Sequence, residues 1–140
     1  MSKGLYPFGL NHYRSLKFQK LKKLISKNQR KIKVEGAYGS SLSFLLIDIF
    51  SSINQQIFYI SNTKETASYV YSDIVELIGE INCSFLPSNY RSDAKKIKDE
   101  SNIINRSKTI RDILDNETKI IVTYPEAIFE KIPNSSPFMI

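Results

Sequence analysis

Four short tracts of β-forming residues alternate with helical stripes along this chain, and that alternation limits its fold more than any other feature. The tracts are Ile32-Lys33-Val34, Gln56-Ile57-Phe58-Tyr59-Ile60, Ile81 to Leu86 and Lys119-Ile120-Ile121-Val122. The last is an uninterrupted apolar run of the kind found in strands buried on both faces of a parallel sheet. Between them, apolar residues recur at helical spacing. Leu42, Leu45, Leu46, Ile49, Phe50 and Ile53 form one stripe, Ala67, Val70, Ile74, Leu77 and Ile78 a second, and Ile103, Ile110, Ile113 and Leu114 a third. Strands joined through helices imply right-handed βαβ crossovers and a parallel sheet of about four strands.

The punctuation agrees with that reading. Asn62 is expected to cap the second of these helices, with Glu65 reaching back, and Gly79 to end it. Asp115-Asn116 ends the third, and Ser88 to Glu100 reads as a polar loop. Thr123-Tyr124-Pro125-Glu126 has the form of a capping box with proline in the first helical turn. Thr123 and Glu126 are therefore assigned to a helix start and not to chemistry.

The first strand tract runs into Glu35-Gly36-Ala37-Tyr38-Gly39-Ser40-Ser41-Leu42-Ser43, the candidate site. A phosphate-binding loop reads G-x-x-x-x-G-K-[ST]; its backbone N–H groups cradle phosphates and its lysine reaches the outer ones. Here Gly36 is the first glycine, Ser41 stands for the second, Leu42 replaces the lysine and Ser43 holds the metal-ligand hydroxyl position. Gly36, Gly39, Ser40, Ser41, Leu42 and Ser43 thus make a vestigial phosphate loop, which leucine leaves without charge for a triphosphate. The bland alternative is a tight strand–helix turn. A dinucleotide fold is excluded twice: no G-x-G-x-x-G is present, and the second strand tract ends in Ser61-Asn62 without an acid.

Other chemistry is thin. His12 is the single histidine, so no multi-histidine metal site or histidine triad can be built, and no metal ligands or catalytic residues are assigned. Cys83, the single cysteine, lies in a strand tract and reads as a small buried hydrophobe; it cannot form an internal disulfide. Asp48 interrupts an apolar helix and is expected at that helix's surface edge. Asp73, Glu76 and Glu80 read as a solvated face, and no acidic pair ends a strand to anchor a metal. The longest apolar run, Leu42 to Phe50, is too short to span a bilayer, so a cytoplasmic location without membrane contact is expected.

Charge is unevenly spread over the 140 residues, whose net is +6. Residues 1–34 carry ten of the 20 basic side chains and no acid, leaving ten basic against 14 acidic, a net of −4, in the remainder. Lys17, Lys20, Lys22, Lys23 and Lys27 could neutralise nucleic-acid phosphates. Against this, Phe18, Leu21, Leu24 and Ile25 share one helical side, so the arm is expected to dock and turn its lysines to water. No aromatic residues interleave with the lysines as a stacking platform requires. The division expected is a basic helical arm over residues 1–31 and a degenerate P-loop domain over 32–140.

Several blocks together resemble the N-terminal, excinuclease-B-like module of the bacterial transcription-repair coupling factor. They are Gly36-Ala37-Tyr38-Gly39-Ser40-Ser41-Leu42-Ser43-Phe44, Phe58-Tyr59-Ile60-Ser61-Asn62, Leu86-Pro87-Ser88-Asn89-Tyr90-Arg91, and Ile120-Ile121-Val122-Thr123-Tyr124-Pro125-Glu126-Ala127-Ile128-Phe129-Glu130-Lys131. They stand in the family's order, and the last looks closest to versions from the Bacteroidetes group. The resemblance implies an α/β fold, a three-layer P-loop/RecA-like half-domain of βα repeats behind a basic helix, with a decayed loop that drives no motor. It implies no enzyme activity for these residues and no cofactor. ATP and magnesium belong to the full-length family's motor domains, and excinuclease A, RNA polymerase and duplex DNA are partners of the whole protein. The chain stops at Phe138-Met139-Ile140, before the family's excinuclease A, polymerase and motor parts, and is expected to be a fragment or truncated product. Apolar surface near Phe129, Ile132, Phe138 and Ile140 is then expected to favour self-association. A small standalone nucleotide-binding protein and a basic nucleic-acid-binding module are the alternatives.

Overall fold

The structure, a computed structural model, describes residues 16–28, 30–90 and 99–132, with the backbone alone for 16–18. Among the described residues three strands form one parallel sheet: β1 (Ile57–Ile60), β2 (Cys83–Phe85) and β3 (Ile120–Thr123). The order is β1-β3-β2, with Phe58 level with Ile121 and Ser84 level with the same residue from the other side. Helices α1 (Leu16–Ser26), α2 (Ser40–Ile53), α3 (Lys64–Ile78), α4 (Glu100–Leu114) and the short α5 (Pro125–Phe129) complete the fold.

The sheet is the middle of three layers. Ile120 and Val122 of β3 and Cys83 of β2 share a core with Ile47 of α2 and Val70 and Ile74 of α3. The opposite face carries Ile121 and Ser84, and there Ser84 donates to Asp112 of α4 at 2.9 Å. Lys119 bonds the same carboxylate at 3.0 Å. The connection β1–α3–β2 crosses the sheet one way and β2–α4–β3 returns, so crossovers of one hand must place α3 and α4 on opposite faces. β3 is covered on both sides and all four of its residues are buried, as the uninterrupted apolar tract predicts.

Helix ends follow local chemistry, with small shifts from expectation. Thr63, not Asn62, caps α3: its hydroxyl accepts from the Thr66 amide at 3.2 Å. Gly79 ends α3 at φ 84°, a conformation costly for residues with a Cβ. Asn54 and Asn116 turn the chain after α2 and α4 in the left-handed region that asparagine tolerates. α5 begins with Pro125 as expected, but Tyr124 holds the cap position and no side chain caps it. Thr123 is not a cap. It belongs to β3, and its hydroxyl donates to the Leu86 carbonyl at 3.0 Å, tying β3 to the end of β2.

Two strand expectations are corrected. The tract from Ile81 shortens to Cys83–Phe85, because Glu80–Asn82 form a 3₁₀ turn directly after Gly79. Residues 32–34 form no strand at all; 31–38 are irregular and largely exposed, with Val34 at 47%. Lys31, Lys33 and Glu35 are all exposed there, and Lys33 pairs with Glu35 locally. Three β-forming residues among charged neighbours cannot supply the buried apolar surface that offsets ordering a strand. No described helix is long and apolar enough to cross a membrane.

Candidate functional site

The glycine loop enters α2 without a strand behind it. Gly36 and Gly39 have φ of 89° and 55°, so both positions use glycine's freedom to turn the chain. Ser41 closes the loop on itself. Its hydroxyl accepts from the Tyr38 amide at 2.9 Å and donates to the Tyr38 carbonyl at 2.6 Å. The Ser41 amide bonds the Tyr38 carbonyl at 3.2 Å and the Leu42 amide bonds Gly39 at 3.1 Å. These are groups a phosphate would have to recruit, and they are already engaged in the turn.

The residues after the loop point inward. Leu42 packs against the core in the position where a phosphate loop holds its lysine. Ser43 is fully buried and donates to Asp73 of α3 at 3.2 Å. Asp73 is thus not a purely solvated acid but an anchor between α2 and α3. Ser40 stays exposed at the first turn of α2. The six loop residues are contiguous in space, yet their hydrogen bonds serve the turn and the helix packing.

The basic arm divides into two roles. Lys20 and Lys23 of α1 and Lys27 in the turn that follows it are exposed and spaced at i, i+3 and i+7. Lys22 is instead held by Asp48 of α2 at 3.1 Å. Asp48 is a correction: it is buried, its side chain 6% exposed, and it fastens the arm to the body. The side chain of Lys17, like His12, lies outside the described residues. Leu21 is buried, and α1 and α2 leave between them a groove of about 260 Å³ floored by Ile25, Ile49 and Ile53.

A second polar constellation, unforeseen in the sequence, sits where β2 and β3 end. Arg106 of α4 is 3% exposed and donates to the carbonyls of Pro87 at 2.9 Å, Ala127 at 2.8 Å and Glu130 at 3.0 Å. Its Nε stands 3.8 Å from the Glu130 carboxylate. That carboxylate accepts from the Ser88 hydroxyl at 2.6 Å and the Asn89 amide at 3.0 Å. The Ser88 amide donates to the Tyr124 hydroxyl at 2.9 Å, and burial pushes that phenol's pKa upward. Leu86–Tyr90 and Tyr124–Glu130, separate blocks in the sequence, are thereby locked to one another and to α4. The available signal was Arg106 itself, which lies on the 103–106–110–113 stripe that packs inward; a lone arginine there requires buried acceptors.

Cys83 is buried and its thiol is pushed up to about 12 by burial, with nearby Lys119 acting in the opposite direction. Such a thiol is protonated at neutral pH and is a core residue. Among the described residues no group of three or more His, Cys, Asp or Glu side chains is gathered as a metal site. Phe129 and Ile132 are exposed, while Phe138 and Ile140 lie outside the described residues. In comparisons with known proteins, the chain matches no family model and no curated protein is significantly similar to it.

Proposed function

We propose that the chain is a non-catalytic scaffold module of the kind found at the N-terminus of the bacterial transcription-repair coupling factor, with a RecA-like fold whose phosphate loop has decayed. One observation carries the proposal: the loop's serine hydroxyl and the amides of Ser41 and Leu42 are bonded within the turn, and Ser43 is bonded to Asp73. The three-layer arrangement around a parallel sheet supports it, as does the clamp that joins two of the blocks carrying the resemblance. On this reading ATP, magnesium, excinuclease A, RNA polymerase and duplex DNA are handled by other parts of a full-length cytoplasmic protein, and this module offers a docking surface to them. The test pairs two measurements on the purified chain. It should hydrolyse no ATP, and it should bind in trans to a coupling factor lacking its own N-terminal module. Turnover of ATP, or failure to bind that factor, defeats the reading.

A second reading rests on the exposed row Lys20, Lys23 and Lys27. It is a weak, sequence-indifferent contact with duplex DNA, made by phosphate neutralisation and lost steeply with salt. Three lysines predict a slope of log affinity on log salt near −3, since each neutralised phosphate contributes about −0.9. Binding that is insensitive to salt would rule this out.

A further inference from the structure

Among the described residues β1 is an edge strand of the sheet. The Ile57 amide bonds the Lys119 carbonyl at 3.0 Å and the Ser61 amide bonds Thr123 at 2.8 Å, so the odd residues of β1 face β3. Strand geometry then turns the N–H and C=O groups of Phe58 and Ile60 outward, and among the described residues no strand pairs with them. These two residues are 48% and 55% exposed, on the face of the sheet where α4 packs against β2. Unpaired backbone and uncovered apolar side chains therefore coincide at Phe58 and Ile60.

Edges meant to stay solitary carry lysine, proline, a bulge or an inward charge. Here every residue from Ile49 to Thr63 is uncharged, and none is glycine or proline. In a chain of net +6 this neutral tract is a place where two copies can meet without like charges opposed. Its register is also self-complementary. A two-fold axis at Tyr59 sets Phe58 opposite Ile60 of the partner subunit, and both residues have the outward backbone groups that an antiparallel hydrogen-bonded pair needs.

We propose that β1 pairs antiparallel with β1 of a second copy, extending the sheet to six strands across a two-fold axis. The inference stands on sheet geometry and is independent of the scaffold reading. The contact is short, well under the roughly 1,200 Å² of a stable interface, so association is weak and concentration-dependent.

Sedimentation equilibrium over a concentration series tests it. The mass should rise from 16.1 kDa toward twice that value. Phe58→Lys and Ile60→Pro should remain monomeric, the proline removing only an outward N–H, while Phe129→Lys should still associate. A wild-type chain that stays monomeric throughout overturns the proposal, as does loss of association in Phe129→Lys with Phe58→Lys unaffected. Should the β1 variants fail to fold, oxidation of mixed chains, each carrying one cysteine added to the native Cys83, decides. Phe58→Cys mixed with Ile60→Cys should cross-link several-fold more than either alone, with buried Cys83 inert. Equal cross-linking in all three samples overturns the register.

Discussion

The glycine loop before α2 and the clamp at the strand ends are both polar and both rich in hydrogen bonds, yet they are held by different forces. The turn from Tyr38 to Leu42 is closed by bonds between residues three apart, as between Tyr38 and Ser41, and Ser43 alone among the loop residues reaches a distant partner, Asp73. The clamp's bonds join residues 19 to 42 apart, from Arg106 to Pro87 and from Ser88 to Glu130. A local turn can be lost without disturbing the sheet. A buried guanidinium with three carbonyl acceptors cannot, because removing it leaves all three without their donor. The difference separates a turn held mainly by local bonds from a junction that ties distant parts of the domain together.

The largest effect that would break this contrast is at Arg106. Arg106→Ala should destabilise the fold by about 3–5 kcal/mol, the cost typical of removing one member of a buried ionic network. Urea unfolding measures it. A loss below about 1 kcal/mol would mean that the clamp is dispensable and the contrast false.

Alkaline titration should strain the clamp's strands next. Burial raises the pKa of the Cys83 thiol in β2, to about 12 from 9.0, and pushes that of Tyr124 beside Ser88 upward. Both groups are neutral when protonated, and the folded state holds those protons more tightly than the unfolded chain does. Their contribution is thus fully present below pH 9 and declines as pH rises toward 12. Unfolding curves should show stability falling across that window, and Cys83→Ala should flatten the decline. A stability flat from pH 9 to 12 would contradict the burial assigned to both groups.

Much of this division was legible in the residues, and the misses have physical causes. The stripes of α2 and α3 and the tract of β3 announce themselves because apolar residues are buried there at a regular period. In α4 the helix forms as expected, but its buried residues are the polar Arg106 and Thr109, and Leu114 is exposed. The stop at Gly79 was legible because only a few residues tolerate its backbone. Residues 32–34 misled because β-propensity describes a fit to a half-buried surface, and none exists there. Thr123 misled because a hydroxyl before Tyr-Pro-Glu satisfies a capping pattern, while the nearer acceptor is the Leu86 carbonyl in space. Beyond Arg106 on the inward side of α4, the clamp was hard to foresee for the reason that makes it strong: its partners are far apart in sequence. The loop's departure from the phosphate-binding pattern was the reverse, since Leu42 at the lysine position can be read directly.

A smaller effect sharpens the loop's side of the comparison. Gly39 has φ 55° and an added Cβ would meet nothing within 4 Å, so Gly39→Ala is opposed by backbone conformation alone. It should cost about 1–2 kcal/mol and leave the far-UV spectrum unchanged. Unfolding of the sheet by this change would show that the loop is not merely local.

The smallest expected effect is on nucleotide binding. Ser41→Gly with Leu42→Lys restores the motif's letters, but the fold works against its chemistry. Leu42 now packs on the core, so a lysine there must carry its charge out of apolar surroundings before it can meet a phosphate. Removing the Ser41 hydroxyl releases the Tyr38 amide, one donor of the several a phosphate cradle requires. Ser43 remains bonded to Asp73, whose carboxylate would itself repel a triphosphate. The double variant should therefore bind ATP and magnesium at most weakly by calorimetry and show no turnover. Tight binding would mean that the loop reopens readily, and that its closure on Tyr38 does not separate it from a working phosphate site.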